Sequence, residues 1–243
     1  MKILLIAFIY NELPYLGDFV TYYKNQGIDL YIIDNYSNDG SYEWLISNNI
    51  KCSRFDTEES FDLRLLQKEL TRILHIKKPD WIVYTGADLY YVFDKTIREE
   101  ITTASNKGYN QLNIACYGAL NTGEKFGTPL YNHYFYGKYW KEIVMISKYH
   151  EDIVMNGDNI IIPDSKIYNS NGIMCNYGAC KPIAEQKIKL KRRQKAWDNG
   201  LNQNTGRHFR NGKTVNWTWK KEEIENFHRC INAKYFKKLY SEN

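Results

Sequence analysis

Three short, almost wholly apolar segments constrain this chain more than anything else in it: Lys2-Ile9, Asp29-Asp34 and Trp81-Thr85. A run of that length without polar alternation marks a strand covered on both faces, as in a parallel sheet. Amphipathic segments lie between these runs. Pro14 suits the first turn of a helix, and the residues to about Gln26 place Leu16, Phe19, Val20 and Tyr23 on one face before Gly27 stops them. Ser41 is positioned to cap a short helix ending at Ser47, with Glu43 in its first turn. Ile50-Phe55 reads as a third, shorter strand. Glu59 to Ile76 carries Leu63, Leu66, Leu70, Ile73 and Leu74 at helical spacing, and Pro79 closes it. These strand–helix alternations predict an α/β fold with a mixed, mostly parallel central sheet, flanked by helices and joined by right-handed crossovers.

Beyond Asp94 the pattern predicts a helix to about Asn106, then short strands at Gln111-Tyr117, Ile143-Lys148, Ile160-Ile162 and Ile173-Tyr177. Two basic helices follow, Lys181 to Trp197 and Lys221 to Tyr240, around a turn-rich stretch at 199–212. With 243 residues, no internal repeat and no long linker, a single domain is expected. It divides into 1–95, 96–180 and a basic helical C-terminal region, 181–243.

The charge is unevenly placed. Residues 181–238 hold 16 Lys and Arg against 5 Asp and Glu, while the whole chain carries only +5, so the body before them is acidic. The basic helix 181–197 admits three readings: a solvated face, peripheral contact with an anionic membrane, or nonspecific nucleic-acid binding. No nucleic-acid motif accompanies it, so no specific nucleic-acid partner is expected. No run of about twenty apolar residues is present. The opening segment reads as a buried strand rather than a signal peptide. The five cysteines, Cys52, Cys116, Cys175, Cys180 and Cys230, are odd in number and scattered, which argues against a disulfide framework and for the cytoplasm. The histidines lack metal-ligand spacing. The 21 Tyr suit a sugar site and a plain core equally.

Ligands of open α/β sheets bind outside the carboxyl ends of the strands. Those ends read Tyr10-Asn11-Glu12, Asp34-Asn35 and Thr85-Gly86-Ala87-Asp88. Any one of them is an ordinary polar exit. Three together, one reaching a carboxylate after a Gly-Ala hinge, point to a site.

The segments FIYNELPYLGDFVTYYKNQGIDLYIIDNYSNDGS and KKPDWIVYTGADLYYVFD resemble the signature segments of GT-A fold nucleotide-sugar glycosyltransferases, family 2 and its relatives. The likeness covers about the first 95 residues, the nucleotide-binding half in that family; 96–180 would be the acceptor half. A weaker echo, MCNYGACKPIAEQKIKLKRRQKAW, resembles the His-Tyr-Gly strand and following helix of small members. The resemblance implies a transferase moving a sugar from a nucleoside-diphosphate donor, a uridine one first, to a glycan or lipid-linked acceptor. Tyr10 would flank the base, with Asn11 and Glu12 beside it. Asn35 stands where the family has an Asp on uracil or ribose, and an amide keeps hydrogen-bonding capacity there. Asp34 would brace the turn. Asp88 matches the second Asp of the Asp-x-Asp motif, which reaches a divalent metal, Mn²⁺ or Mg²⁺, that neutralises the leaving diphosphate. Arg64, ahead of Arg72, is a candidate to share that charge.

Two departures bear on this. Gly86 replaces the first Asp of the motif, and Asn176 stands where relatives often have a His, so the implied metal is weakly held or dispensable. An inverting displacement also needs a carboxylate base. Asp152 and Asp158 are the candidates, with Glu124 a third; Asn-Gly-Asp at 156–158 equally suits a hairpin turn. The aromatic cluster 131–140 fits either acceptor stacking or packing, and 207–210 either a closing loop or a solvated one. The competing function is a catalytically degenerate domain that binds nucleotide or glycan without turnover.

Overall fold

The computed structural model describes residues 1–118, 142–156, 159–178, 181 and 183–198. The expected second basic helix, Glu124, Asp158, the 131–140 cluster and 207–210 lie outside the described residues.

Strands β1 (Ile3–Ile9), β2 (Asp29–Asp34) and β4 (Trp81–Gly86) form the parallel centre, with β3 (Cys52–Arg54) on the outer side of β2. Their side chains are almost all buried, as the unbroken apolar runs require. Helices α1 (Leu13–Asn25), α2 (Ser41–Ser47) and α3 (Leu63–Lys77) connect them. The next elements are β5 (Leu89–Val92), α4 (Ile97–Asn106), β6 (Gln111–Gly118) and β7 (Glu142–Lys148). A small hairpin, β8 (Val154–Asn156) with β9 (Asn159–Ile161), then β10 (Ile167–Asn176) and α5 (Ile183–Asp198) complete the described chain. Among the described residues the main sheet has eight strands in the order β3-β2-β1-β4-β7-β6-β10-β5, mixed in direction. β5 follows β4 after only Ala87 and Asp88, yet pairs at the far side of β10. The sheet therefore curls, and the chain around Asp88 joins its middle to its end.

Helix boundaries follow local chemistry. Asp62 caps α3, accepting from the Arg64 and Leu65 N–H groups. Thr96 and Glu99 form a reciprocal capping box on α4. At α2 the cap is Gly40, at φ 92°, and Ser41 is the first helical residue rather than the cap. Ser41 has another use: its hydroxyl donates to Asp39 and accepts from the Glu12 N–H. Neither β5 nor β8 is foreseen in the sequence, because each is short and follows directly on polar residues.

Five of the described tyrosines form part of the core. Tyr22, Tyr23, Tyr90, Tyr91 and Tyr177 are fully buried, with Tyr22, Tyr23 and Tyr177 ringed about Tyr90. The Tyr22 hydroxyl donates to the Tyr91 carbonyl at 2.6 Å and that of Tyr23 to the Leu89 carbonyl at 2.8 Å. Tying β5 to α1 in this way satisfies polar tips that burial would otherwise penalise.

The run Ser37-Asn38-Asp39-Gly40-Ser41 laces the loop after β2 to the loop after β1. Ser37 Oγ accepts from the Asn11 N–H, Asn38 and Asn11 exchange two hydrogen bonds, and Asp39 accepts from the Leu13 N–H at the start of α1. Asp39→Ala removes acceptors from Leu13, Ser41 N–H and Ser41 Oγ together. It should lower stability by about 1–2 kcal/mol in urea unfolding, and Asp39→Asn by less.

Candidate functional site

Parallel register brings the three polar strand ends to one edge. Ile9 pairs with Asp34 and Phe8 with Gly86, so Tyr10, Asn35 and the chain entering Asp88 leave the sheet side by side. Asn11, at φ 54°, turns the first of these exits toward α1. Across this edge lies α5, and its Lys189 and Arg192 side chains point into it.

The centre is a buried charge cluster. Lys181 is only 4% exposed, and its ammonium contacts both Glu12 carboxylate oxygens at 2.5 Å and Asp88 Oδ2 at 3.6 Å. Lys189 reaches the same Asp88 oxygen at 2.9 Å. The Asp88 carboxylate sits in a glycine-walled slot: a Cβ on Gly86 would lie 3.1 Å from Oδ1, and one on Gly178 3.1 Å from Oδ2. Asn176 supports the slot by accepting from the Gly178 N–H, and the Asp88 carbonyl accepts from the Tyr177 N–H.

Further along α5, the Arg192 guanidinium lies over the Tyr10 ring, 3.4 Å from its centroid. It also donates to the carbonyls of Glu59 and Ser60. Lys195 donates to the Glu58 carbonyl. Glu58 and Glu59 both have positive φ, near 54° and 57°, a costly conformation for residues with a side chain. Their carbonyls are the ones the helix holds. At the other end of α5, Tyr15 on α1 donates to Glu185 at 2.9 Å.

Electrostatics follow from burial. Burial pushes the Glu12 carboxyl above its ordinary value, with Lys181 pulling the other way and Asp88 adding to the rise. Burial alone would lower Lys181, but Asp88 and Glu12 outweigh it and hold the ammonium charged, its value raised. Arg192 is lowered by burial, opposed by Tyr10, Asp56, Glu59 and Asp34.

The residues singled out from sequence fall in different places. Tyr10, Asn11, Glu12, Asp34, Asn35 and Asp88 share the edge. Asp34 is fully buried and braces the turn, bound by Arg54 Nε at 3.0 Å and by the Ser37 N–H. Arg54 is itself set between the rings of Tyr36 and Tyr42. The Asn35 amide is 3% exposed and turned to Thr57, donating to its hydroxyl and accepting from its N–H. It holds the 57–60 loop beneath Arg192. Arg64 is 61% exposed and pairs with its own helix cap, Asp62, and Arg72 pairs with Glu69. Asp152 is on the opposite edge. It follows β7, whose Lys148 pairs with Trp81 at the start of β4, and its side chain is 79% exposed. The structure therefore brings neither Arg64 nor Asp152 to Asp88.

Lys181, Lys189 and Arg192 also lie at this edge, although in sequence they read only as parts of a basic helix. The available signal was the acidic body facing a basic tail.

A divalent cation needs several oxygen donors gathered around it. Here both Glu12 oxygens face Lys181, Asp88 faces two ammonium groups, and positions 86 and 176 are Gly and Asn. Among the described residues no three His, Cys, Asp or Glu side chains come together. These residues do not fit a divalent metal.

No family model and no curated protein matches the chain. Among solved structures, S. aureus TarS 1–349 is 12% identical over 86% of this chain and 76% of that one, with a TM-score of 0.47. Another S. aureus TarS structure is 16% identical over 54% of this chain, with a TM-score of 0.40. Glucosyl-3-phosphoglycerate synthase from Mycobacterium tuberculosis, in complex with Mn²⁺, UDP and glucosyl-3-phosphoglycerate, is 13% identical over 48% of this chain and 44% of that one, with a TM-score of 0.34. The chain spans 24% to 40% of the length of the first three TarS chains it matches. Likenesses this slight bear on no residue and no reaction.

Lys181→Met would leave Glu12 and Asp88 buried together without their shared cation. Unfolding should show a loss of about 3–5 kcal/mol near neutral pH. Because the folded-state value of Glu12 is already raised, the fold gains relative to the unfolded chain as pH falls through it. The deficit of the variant should therefore shrink on mild acidification and be largest above the ordinary carboxylate range.

Proposed function

We propose that this chain is a glycosyltransferase that takes a nucleoside-diphosphate sugar, a uridine one first, at the carboxyl edge of β1, β2 and β4. The observation that carries this reading is the gathering of Tyr10, Glu12 and Asp88 at one parallel-strand edge beneath three cationic side chains, Lys181, Lys189 and Arg192. An aromatic face beside clustered cations suits a base joined to a diphosphate. Arg192 already stacks on one face of the Tyr10 ring, so a base would pack on the other. Lys181 and Lys189 offset the charge that grows on the diphosphate as it leaves.

The reaction is a single displacement. The bond from the anomeric carbon to the diphosphate oxygen breaks as the acceptor oxygen bonds to that carbon. The acceptor proton passes to a carboxylate base, and the anomeric centre inverts. Asp152, on the opposite edge, is unsuited to that step. The base carried forward is Asp158. The acceptor is a glycan or lipid-linked hydroxyl.

A second reading, a domain that binds nucleotide without turnover, is favoured by one observation, the lysine-occupied carboxylate of Asp88. Incubation with radiolabelled UDP-sugars separates the two. Release of UDP with transfer to acceptor or water supports the transferase. Tight UDP binding with no turnover of any donor supports the binding module. Tyr10→Ala should weaken UDP binding by about tenfold in calorimetry, the worth of one base–aromatic contact. Asp152→Ala should leave it unchanged.

A further inference from the structure

The faces of α5 differ in what balances their charge. Lys189 and Arg192 turn to the sheet edge, where the Asp88 carboxylate, the Glu59 and Ser60 carbonyls and the Tyr10 ring meet them. Ala184, Lys187, Ile188, Lys191 and Lys195 fall on another side, within one arc of about 100° at ordinary helical spacing, and all five are exposed. We propose that this second face docks on an anionic lipid surface, so that α5 lies between a membrane and the sheet edge. The proposal goes beyond the nucleotide reading and uses none of the side chains on which that reading stands.

The lysines of this stripe lack the acids that ordinarily balance such a column. Lys187, Lys191 and Lys195 succeed one another at i, i+4 spacing, where like charges oppose the helix. No Asp or Glu stands three or four residues to either side of Lys187 or Lys191. Neither of these two makes a hydrogen bond or an ion pair with any described residue. Lys195 differs: it donates to the Glu58 carbonyl and reaches Glu59, and so ties the end of the stripe to the protein. The chain beyond is no source of anions, since residues 199–238 hold nine Lys and Arg against three Asp and Glu. The complement to Lys187 and Lys191 therefore has to come from another body.

Ile188 favours lipid as that body. It lies between Lys187 and Lys191 on the same stripe and is 46% exposed. An apolar side chain among lysines is the pattern of an interfacial helix, whose ammonium groups meet headgroup phosphates while the apolar chain enters the acyl boundary. One isoleucine offers little area, so charge supplies most of the attraction. A nucleic acid would also present phosphates, but the stripe has no aromatic ring or guanidinium on which a base could stack. A helix is about 10 Å across, so docking through this face holds the sheet edge close to the headgroups. That placement suits the lipid-linked hydroxyl proposed as acceptor.

Co-sedimentation of the full chain with vesicles tests this, using phosphatidylcholine alone and phosphatidylcholine mixed with phosphatidylserine. The expected result is binding to the mixed vesicles, little to phosphatidylcholine alone, and loss of binding as salt is raised. The double variant Lys187→Glu/Lys191→Glu should partition about tenfold less or weaker still, since each lysine near an anionic surface is worth about fivefold. Ile188→Ser should weaken partitioning about two- to threefold. All three side chains are exposed, so unfolding midpoints should stay near that of the parent chain. Equal binding to both kinds of vesicle, or a double variant that sediments like the parent, would overturn the proposal. So would a parent chain that ignores the mixed vesicles, whether or not it binds an oligonucleotide with steep salt dependence. Calorimetry with UDP on the double variant keeps the two readings apart: UDP should bind it as it binds the parent, and failure of UDP to bind either protein would overturn the nucleotide reading alone.

Discussion

The ammonium of Lys181, closed off from water between Glu12 and Asp88, joins parts of the chain that connectivity leaves independent. Glu12 opens α1, Asp88 lies between β4 and β5, and Lys181 introduces α5. A buried ion pair of this kind contributes little net stability, because desolvation offsets most of the attraction. What it supplies is placement. With the Lys181 amine missing, Glu12 would be stranded in the interior and Asp88 would keep only Lys189, so it is Lys181 that lets the two carboxylates share the edge. α5 is polar on nearly every side, and a helix of that kind needs a charged partner surface. Glu12 after β1, Glu59 after β3 and Asp88 after β4 are that surface.

The polar run after β2 serves the same edge indirectly. Asp34 holds Arg54, Ser37 and Asn38 hold Asn11, and Asp39 and Ser41 hold the first turn of α1. None of these groups needs to touch a ligand. They keep Tyr10 and Glu12 in place, and Asn35 does the same for the 57–60 loop through Thr57. The result is a rigid floor of strand ends under a helix that carries the positive charge. Preorganised charge of this kind is what the proposed departure of a diphosphate demands.

The central strands and the amphipathic helices were legible in the sequence because each rests on a local pattern: unbroken apolar runs for β1, β2 and β4, and a leucine period for α3. The shared edge was legible too, since strand direction alone puts Tyr10, Asn35 and Asp88 at one end. What could not be read were pairings across long separations. Lys181 and Glu12 are 169 residues apart and Lys189 and Asp88 are 101 apart, and nothing in either neighbourhood names its partner. A basic helix looks the same in sequence whether it faces solvent, lipid or a carboxylate cluster. Asp152 failed for a related reason: its Asp is chemically suitable, but β7 runs antiparallel to β4 and carries it to the wrong edge. Ser41 has the chemistry of a cap in sequence, but Gly40, which can adopt positive φ, takes that place.

All of this rests on the claim that one edge of the sheet, roofed by α5, is where an anionic ligand is held. A crystal structure of the full chain grown with UDP tests it most directly. The account predicts diphosphate density within hydrogen-bonding distance of Lys189 Nζ, with the uracil ring against Tyr10. Nucleotide density on any other surface, with the Lys181–Asp88–Lys189 contacts untouched, would contradict it.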